Sequence, residues 1–388
     1  MQAESRQDIE SASGKLLSQA TPPTTKVLLC VALKFRRGKT ALHDWLQLVR
    51  LPAHERAEVD IAAVNLACAT GLPGLKPLNL DQCMYLLGSW AEQTRRFTER
   101  VLPMFYSGRC DYPHSEPRFR MQAMITYLQR DLGLRYRFDK RSDDARLKPE
   151  DSFLNGIFEG KGGTCGSLPV LYVAVGRRLG YPLKLATTRC HLYIRWEGAL
   201  GGECFNIEAS GDGVSFFPDE YYRTGRYATP EPTIQLCGYL KSLSPTEELA
   251  SFLVQRGECW MQEKRYHEAV LSFAWATELD PRRRQHLFLT CQAIDKGTEY
   301  FRSLMPPCHF PVLDIGIPPW QFTHLPREVE RRIISLRIME GLLQDPELEE
   351  RWWGPLRRNP YDRPQGLPER LYANFRWNLP PRPAVQNT

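Results

Sequence analysis

Gly162-Gly163-Thr164-Cys165-Gly166-Ser167-Leu168-Pro169 is the stretch on which the reading of this 388-residue chain turns. Beyond Pro169, the apolar residues Val170, Leu171, Val173, Ala174, Val175 and Leu179 recur at helical spacing, and Gly180 with Pro182 closes the run. The pattern predicts a buried helix with Cys165 at its N-terminus. Unpaired N–H groups and the positive end of the helix dipole meet there, and both favour a thiolate over a thiol. The two glycines before it let backbone or ligand approach closely.

Downstream, Leu183 to Thr188 and His191 to Trp196 alternate in character as two strands, with His191 opening the second. On that strand His191 shares a face with Tyr193 and Arg195, while Cys190 faces the other way, so Cys190 and His191 cannot ligate one metal ion. After the turn from Gly198 to Gly202, Cys204-Phe205-Asn206-Ile207-Glu208 reads as a third strand, paired as a hairpin, with Asn206 and Glu208 on one face. A cysteine nucleophile, a histidine base and an acid or amide that orients the imidazole are the parts of a cysteine acyl-transfer site. Cys165, His191 and Glu208 are the candidates, and Asn206 is the alternative orienting residue.

This order, a Cys at a helix start, a His on a strand and an acidic residue on the next strand, resembles the transglutaminase-like domain of the papain-related cysteine enzymes. Gly160 to Tyr222 is similar to bacterial members of that superfamily that carry tetratricopeptide repeats after the core. The resemblance implies Cys165 as nucleophile, His191 as general base and Glu208 as orienting acid, in place of the usual Asp. It implies an α+β fold in which the helix bearing the Cys packs on an antiparallel sheet. The implied activity is cysteine-dependent acyl transfer or hydrolysis at an amide or peptide carbonyl, with water or an amine as acceptor and no cofactor. The competing reading is a non-catalytic domain of the same fold that acts with its repeat as an interaction scaffold.

The rest of the chain divides by composition. Residues 1–25 are polar and expected to be disordered. Residues 26–145 read as mostly helical, over Ala57–Ala69, Leu80–Val101 with Asp81 as cap, and Met121–Leu132 ended by Gly133, with Leu134–Phe138 as a short strand. Residues 146–240 are the expected core and 241–300 a helical repeat. In that repeat Leu253, Gly257, Trp260, Tyr266, Ala269, Phe273, Ala276 and Pro281 match one tetratricopeptide unit, followed by a capping helix from His286 to Thr298. Such a unit packs against the core or holds a partner protein in its concave face. The aromatic run Phe216 to Tyr222 is expected either to wall a substrate cleft or to pack in the core. Residues 301–388 hold Pro306-Pro307, Pro318-Pro319-Trp320, a helix over Arg327–Gln344, Trp352-Trp353 and an extended tail ending in Pro380-Pro381-Arg382-Pro383.

Composition sets outer bounds. At 42% hydrophobic residues the chain can bury a substantial core. The net charge of +6 comes from interspersed Lys, Arg, Asp and Glu, a balance that does not point to nucleic acid. No stretch reaches the length of a membrane span, and Val27 to Leu33, bracketed by charges and lacking a cleavage site, reads as a buried strand or short helix. Eleven cysteines, an odd number with no C-x-x-C pair, suit neither a disulfide framework nor a zinc module and point to the cytoplasm. A peptide or protein amide is the expected substrate, with no nucleic acid or membrane partner.

Overall fold

In a computed structural model, which describes residues 44–109, 115–140, 148–199, 202–208, 210–304, 322–330, 332, 333 and 336, the stripe after Pro169 is a helix whose residues Leu168 to Gly176 are all buried. Burial on every side requires neighbours on every side. The elements that provide them are, in chain order, α1 (Asp44–Arg50), α2 (Ala53–Ala57), α3 (Ile61–Ala69), α4 (Leu80–Tyr106), α5 (Glu116–Thr126), α6 (Pro149–Ser152), α7 (Asn155–Phe158) and α8, the cysteine helix itself (Leu168–Arg178). The sheet β1 (Leu183–Thr188), β2 (His191–Glu197) and β3 (Cys204–Ile207) follows, then α9 (Asp219–Arg223), α10 (Glu231–Cys237), α11 (Pro245–Gln262), α12 (Tyr266–Leu279) and α13 (Arg284–Leu304). The fold is mostly helical α+β, with α8 packed between the sheet, α3 and α4.

The three strands form one antiparallel sheet in the order β1-β2-β3. Thr188 pairs with His191 across a two-residue turn, Arg189-Cys190, and Cys190 has the positive φ of 54° that closes it. The free edge of β1 is covered by the chain before α11: Leu240 N–H donates to Thr187 O (2.9 Å) and Leu243 N–H to Leu185 O (2.8 Å).

Several expectations change in detail. The helix expected over Ala57–Ala69 is broken into α2 and α3 because the Asp60 carboxylate takes the Ala62 N–H (2.8 Å) and starts a new helix. Asn79, not Asp81, caps α4, accepting from Gln82 N–H. The third helix begins at Glu116 and ends in a π-helical turn, Tyr127–Asp131. Leu134–Phe138 is no sheet strand. It bonds instead to the cysteine turn, with Arg137 N–H donating to Gly163 O (2.8 Å) and Gly163 N–H to Arg135 O (3.0 Å), and then turns at Phe138–Lys140. Gly162 sits there with φ +83°, and a Cβ on it would lie 2.7 Å from Arg135 O.

The helices expected over 241–300 are present, α11 and α12 as a hairpin and α13 longer than expected. Gly257 is where the hairpin closes: a Cβ on it would lie 2.4 Å from the Phe273 ring. Arg256, on α11, is buried between the rings of Trp45 (5.3 Å) and Trp260 (5.5 Å) and donates to Cys68 O and Thr70 O, both 2.7 Å, at the end of α3. Arg177 at the end of α8 forks onto Glu248 of α11 (2.5 and 3.1 Å). The larger hydrophobic core therefore joins residues from Trp45 to Leu336, and a smaller one gathers around Tyr193 and Tyr222. Residues 1–25, Val27 to Leu33, the proline and tryptophan pairs of 301–388 and the tail lie outside the described residues, as does part of Arg327–Gln344, whose described residues through Leu336 are helical.

Candidate active site

Cys165 lies in the turn that opens α8. The first helical bond runs from Leu168 N–H to Thr164 O (2.9 Å), so the cysteine is inside it. The turn is pinned from below. Thr164 Oγ1 and Ser167 Oγ both donate to Asp151 O (2.7 and 3.0 Å), Thr164 N–H donates to Ser167 Oγ (3.0 Å), and Gly166 N–H to Thr164 Oγ1 (3.1 Å). Thr164 and Ser167 are fully buried while Cys165 is half-buried. The Cys165 N–H makes no hydrogen bond among the described residues.

His191 reaches the turn from the start of β2, and its ring is buried. Nε2 lies 2.6 Å from Glu208 Oε2, which leaves Nδ1 as the nitrogen able to serve Cys165, the other group that acts on the imidazole. Burial pushes the imidazolium towards losing its proton. The interactions with Cys165 and Glu208 outweigh burial, and raise the His191 pKa from 6.5 to about 9. Glu208 shows the same contest: burial favours its neutral form, yet His191 and the Ser210 N–H (2.9 Å) hold it below the ordinary carboxylate range. Tyr222 adds a longer bond to Oε2 (3.4 Å). The strand expected through Glu208 ends at Ile207, and Glu208 is held by a bridge to Ser215 in both directions (2.8 and 2.9 Å).

Asn206 goes elsewhere. Its Oδ1 accepts from Arg195 Nε (2.7 Å), its register partner on β2, and its Nδ2 donates to Asp219 Oδ1 (2.7 Å) and Phe217 O (3.2 Å). The geometry thus brings Cys165, His191 and Glu208 together and sets Asn206 in an adjoining network, so the alternative orienting residue is not in contact with the imidazole.

Of the aromatic run, Tyr222 packs in the core and Tyr221 lies at the surface. Tyr222 is fully buried and stacks on Tyr193 (4.0 Å), while Tyr221 is 40% exposed and stacks on Phe217 (3.9 Å). Tyr227, which sequence reasoning missed, lies over the imidazole at 4.7 Å and 23°. It belongs to a short 3-10 turn, Gly225–Tyr227, with no local pattern to mark it. Among the described residues no three His, Cys, Asp or Glu side chains could hold a metal ion, and no helix is long and apolar enough to cross a membrane.

Residues 90–244 match the family model described as Transglutaminase-like superfamily, and this stretch is a transglutaminase-like superfamily domain. It runs from within α4 to the residue before α11 and contains Cys165, His191 and Glu208. Membership suggests cysteine-dependent amide chemistry. The match stops short of the helical hairpin and lends no support to a tetratricopeptide repeat there. No curated protein and no solved structure matches the chain.

Proposed function

We propose that the protein is a cysteine hydrolase or acyltransferase that opens an amide or peptide carbonyl through a Cys165 thioester. The observation that carries this reading is the buried imidazole held between Glu208 and the thiol, with its affinity for a proton raised by both. His191 takes the thiol proton, and the thiolate sulfur attacks the carbonyl carbon while the π pair moves to oxygen. The tetrahedral intermediate then collapses, the C–N bond breaks, and the leaving amine takes the proton from the imidazolium. Water or a second amine resolves the thioester with His191 acting as base again. Glu208 stabilises the imidazolium and fixes which nitrogen faces sulfur. The Cys165 N–H is one donor to the oxyanion. In this reading the helical hairpin, tetratricopeptide-like in its residue pattern, serves mainly to pack against the domain.

The test is alkylation by iodoacetamide at pH 6.5 with mapping of the modified residues. Cys68, Cys83, Cys237 and Cys259 are buried, and burial pushes the Cys68 and Cys259 thiols up to about 12. Cys190 and Cys204 are exposed and are the competitors. An ordinary exposed thiol is about 1% ionised at pH 6.5, so Cys165 reacts first. Labelling spread evenly over Cys165, Cys190 and Cys204, or missing from Cys165, sinks the nucleophile assignment and favours the scaffold reading.

A further inference from the structure

The thiolate's attack leaves a negative oxygen that one N–H does not satisfy. The residues around the turn point to where the second donor comes from. Glu248, Phe252, Gln255 and Cys259 recur on one face of α11, at i, i+4, i+7 and i+11. Glu248 holds Arg177 at the far end of α8, and Cys259 interacts with Ser152 beneath the cysteine turn. Gln255 lies between them and faces the turn itself. A methyl group on Gly166, the residue after the nucleophile, would sit 3.6 Å from Gln255 Nε2 and 3.5 Å from Ser152 Cα.

Gln255 makes no hydrogen bond among the described residues, and its Oε1 is buried without a donor. Leaving a buried polar atom unpaired is unfavourable, because it gives up its bonds to water and gains none. A leucine or methionine would pack the same face without that cost. An amide with free N–H groups, half-buried and fixed by the packing on either side of it, has instead the properties of a preorganised donor.

We infer that the Gln255 carboxamide is a second donor to the oxyanion formed on Cys165, supplied by a helix beyond the end of the transglutaminase-like domain. The inference rests on the nucleophile reading above. It gives α11 a part in the chemistry as well as in packing. Gln255 would touch the reacting oxygen and is in that sense a catalytic residue.

The experiment compares two reagents on the full chain. With p-nitrophenyl acetate the Cys165 sulfur attacks the carbonyl carbon and the oxygen takes the electron pair. The C–O bond then breaks, p-nitrophenolate leaves, and an acetyl thioester remains. Iodoacetamide reacts at a saturated carbon: a C–S bond forms, iodide leaves, and no oxyanion arises. Gln255→Met keeps the size and removes the donor, and Gln255→Ala is the second variant in case the first misfolds. Both are expected to slow acetylation by about 10- to 10³-fold while alkylation at pH 6.5 stays within about twofold. Equal losses with both reagents would mean that Gln255 only holds the turn in place, and unchanged acetylation would mean it does nothing there; either overturns the inference. Wild-type protein that iodoacetamide labels at Cys165 but p-nitrophenyl acetate does not would overturn the oxyanion assignment and leave the nucleophile standing. Failure with both reagents overturns the nucleophile reading, and this inference with it.

Discussion

Two polar networks lie side by side on the β2–β3 hairpin, each joining a nitrogen base to a carboxylate, and they end differently. In the first, Arg195 gives its N–H groups to Asn206, Leu240 O and Asp219 (2.5 Å), and Asn206 passes its own to Asp219 and Phe217 O. Its chain of bonds returns into protein. In the second, Glu208 collects bonds from His191, Ser210 and Tyr222, and the imidazole's other side ends on a half-buried thiol. A closed network fixes structure, whereas one that terminates on a nucleophile has a proton to move. Position on the hairpin does not separate the two roles, since both sets sit on the same strand pair; where the last bond ends does.

The largest break in that comparison comes from removing the terminus. Cys165→Ala is expected to abolish both thioester formation and labelling at this position, read by intact mass, while the melting temperature moves by no more than about 2 °C, since the side chain is not a packing element. A Cys165→Ala protein that does not fold would make the thiol structural and the second network closed like the first.

Next in size is Glu208→Gln, which keeps the shape and loses the charge. The His191 pKa is raised in the folded protein, so the imidazolium persists below about 9 and is lost as pH rises through that value. Without the Glu208 charge it is lost at lower pH. The alkaline limb of the acyl-transfer rate should therefore move from about 9 towards the ordinary value near 6.5, and labelling of Cys165 at pH 6.5 should slow by roughly tenfold or more. A pH–rate profile of both proteins decides it.

The smallest effect on reactivity is expected from Asn206→Ala. It opens the closed network, leaving Arg195 and Asp219 without their amide, and should cost about 1–3 kcal/mol of stability in a denaturant titration. Labelling of Cys165 should stay within about twofold. If Asn206→Ala slows labelling strongly and Glu208→Gln leaves both rate and pH dependence unchanged, the roles of the two networks are reversed.

What sequence could read follows from this geometry. The helix start at Cys165, the strand that opens at His191 and the hairpin that carries Glu208 are local patterns, and local patterns suffice to set them. The choice between Asn206 and Glu208 is not local. Both project from one strand face, and the decision depends on which of them stands opposite Arg195 and on Asp219, delivered by a later helix. Leu134–Phe138 alternates like a strand but finds its partner in the cysteine turn rather than in the sheet. Tyr227 and Gln255 reach the site only through tertiary packing, and nothing within a few residues of either announces it.

The larger core has a bearing on how the molecule can be handled. A fragment cut to residues 90–244 would sever α4 inside its length, take Glu248 from Arg177, remove Gln255 from beside Gly166 and bare the face of α8 that α3 covers. Such an excised piece should come out of a cell as insoluble material, or in solution as an aggregate. The segment that is shared among relatives and the segment that can stand alone in a test tube are here different lengths of the same chain.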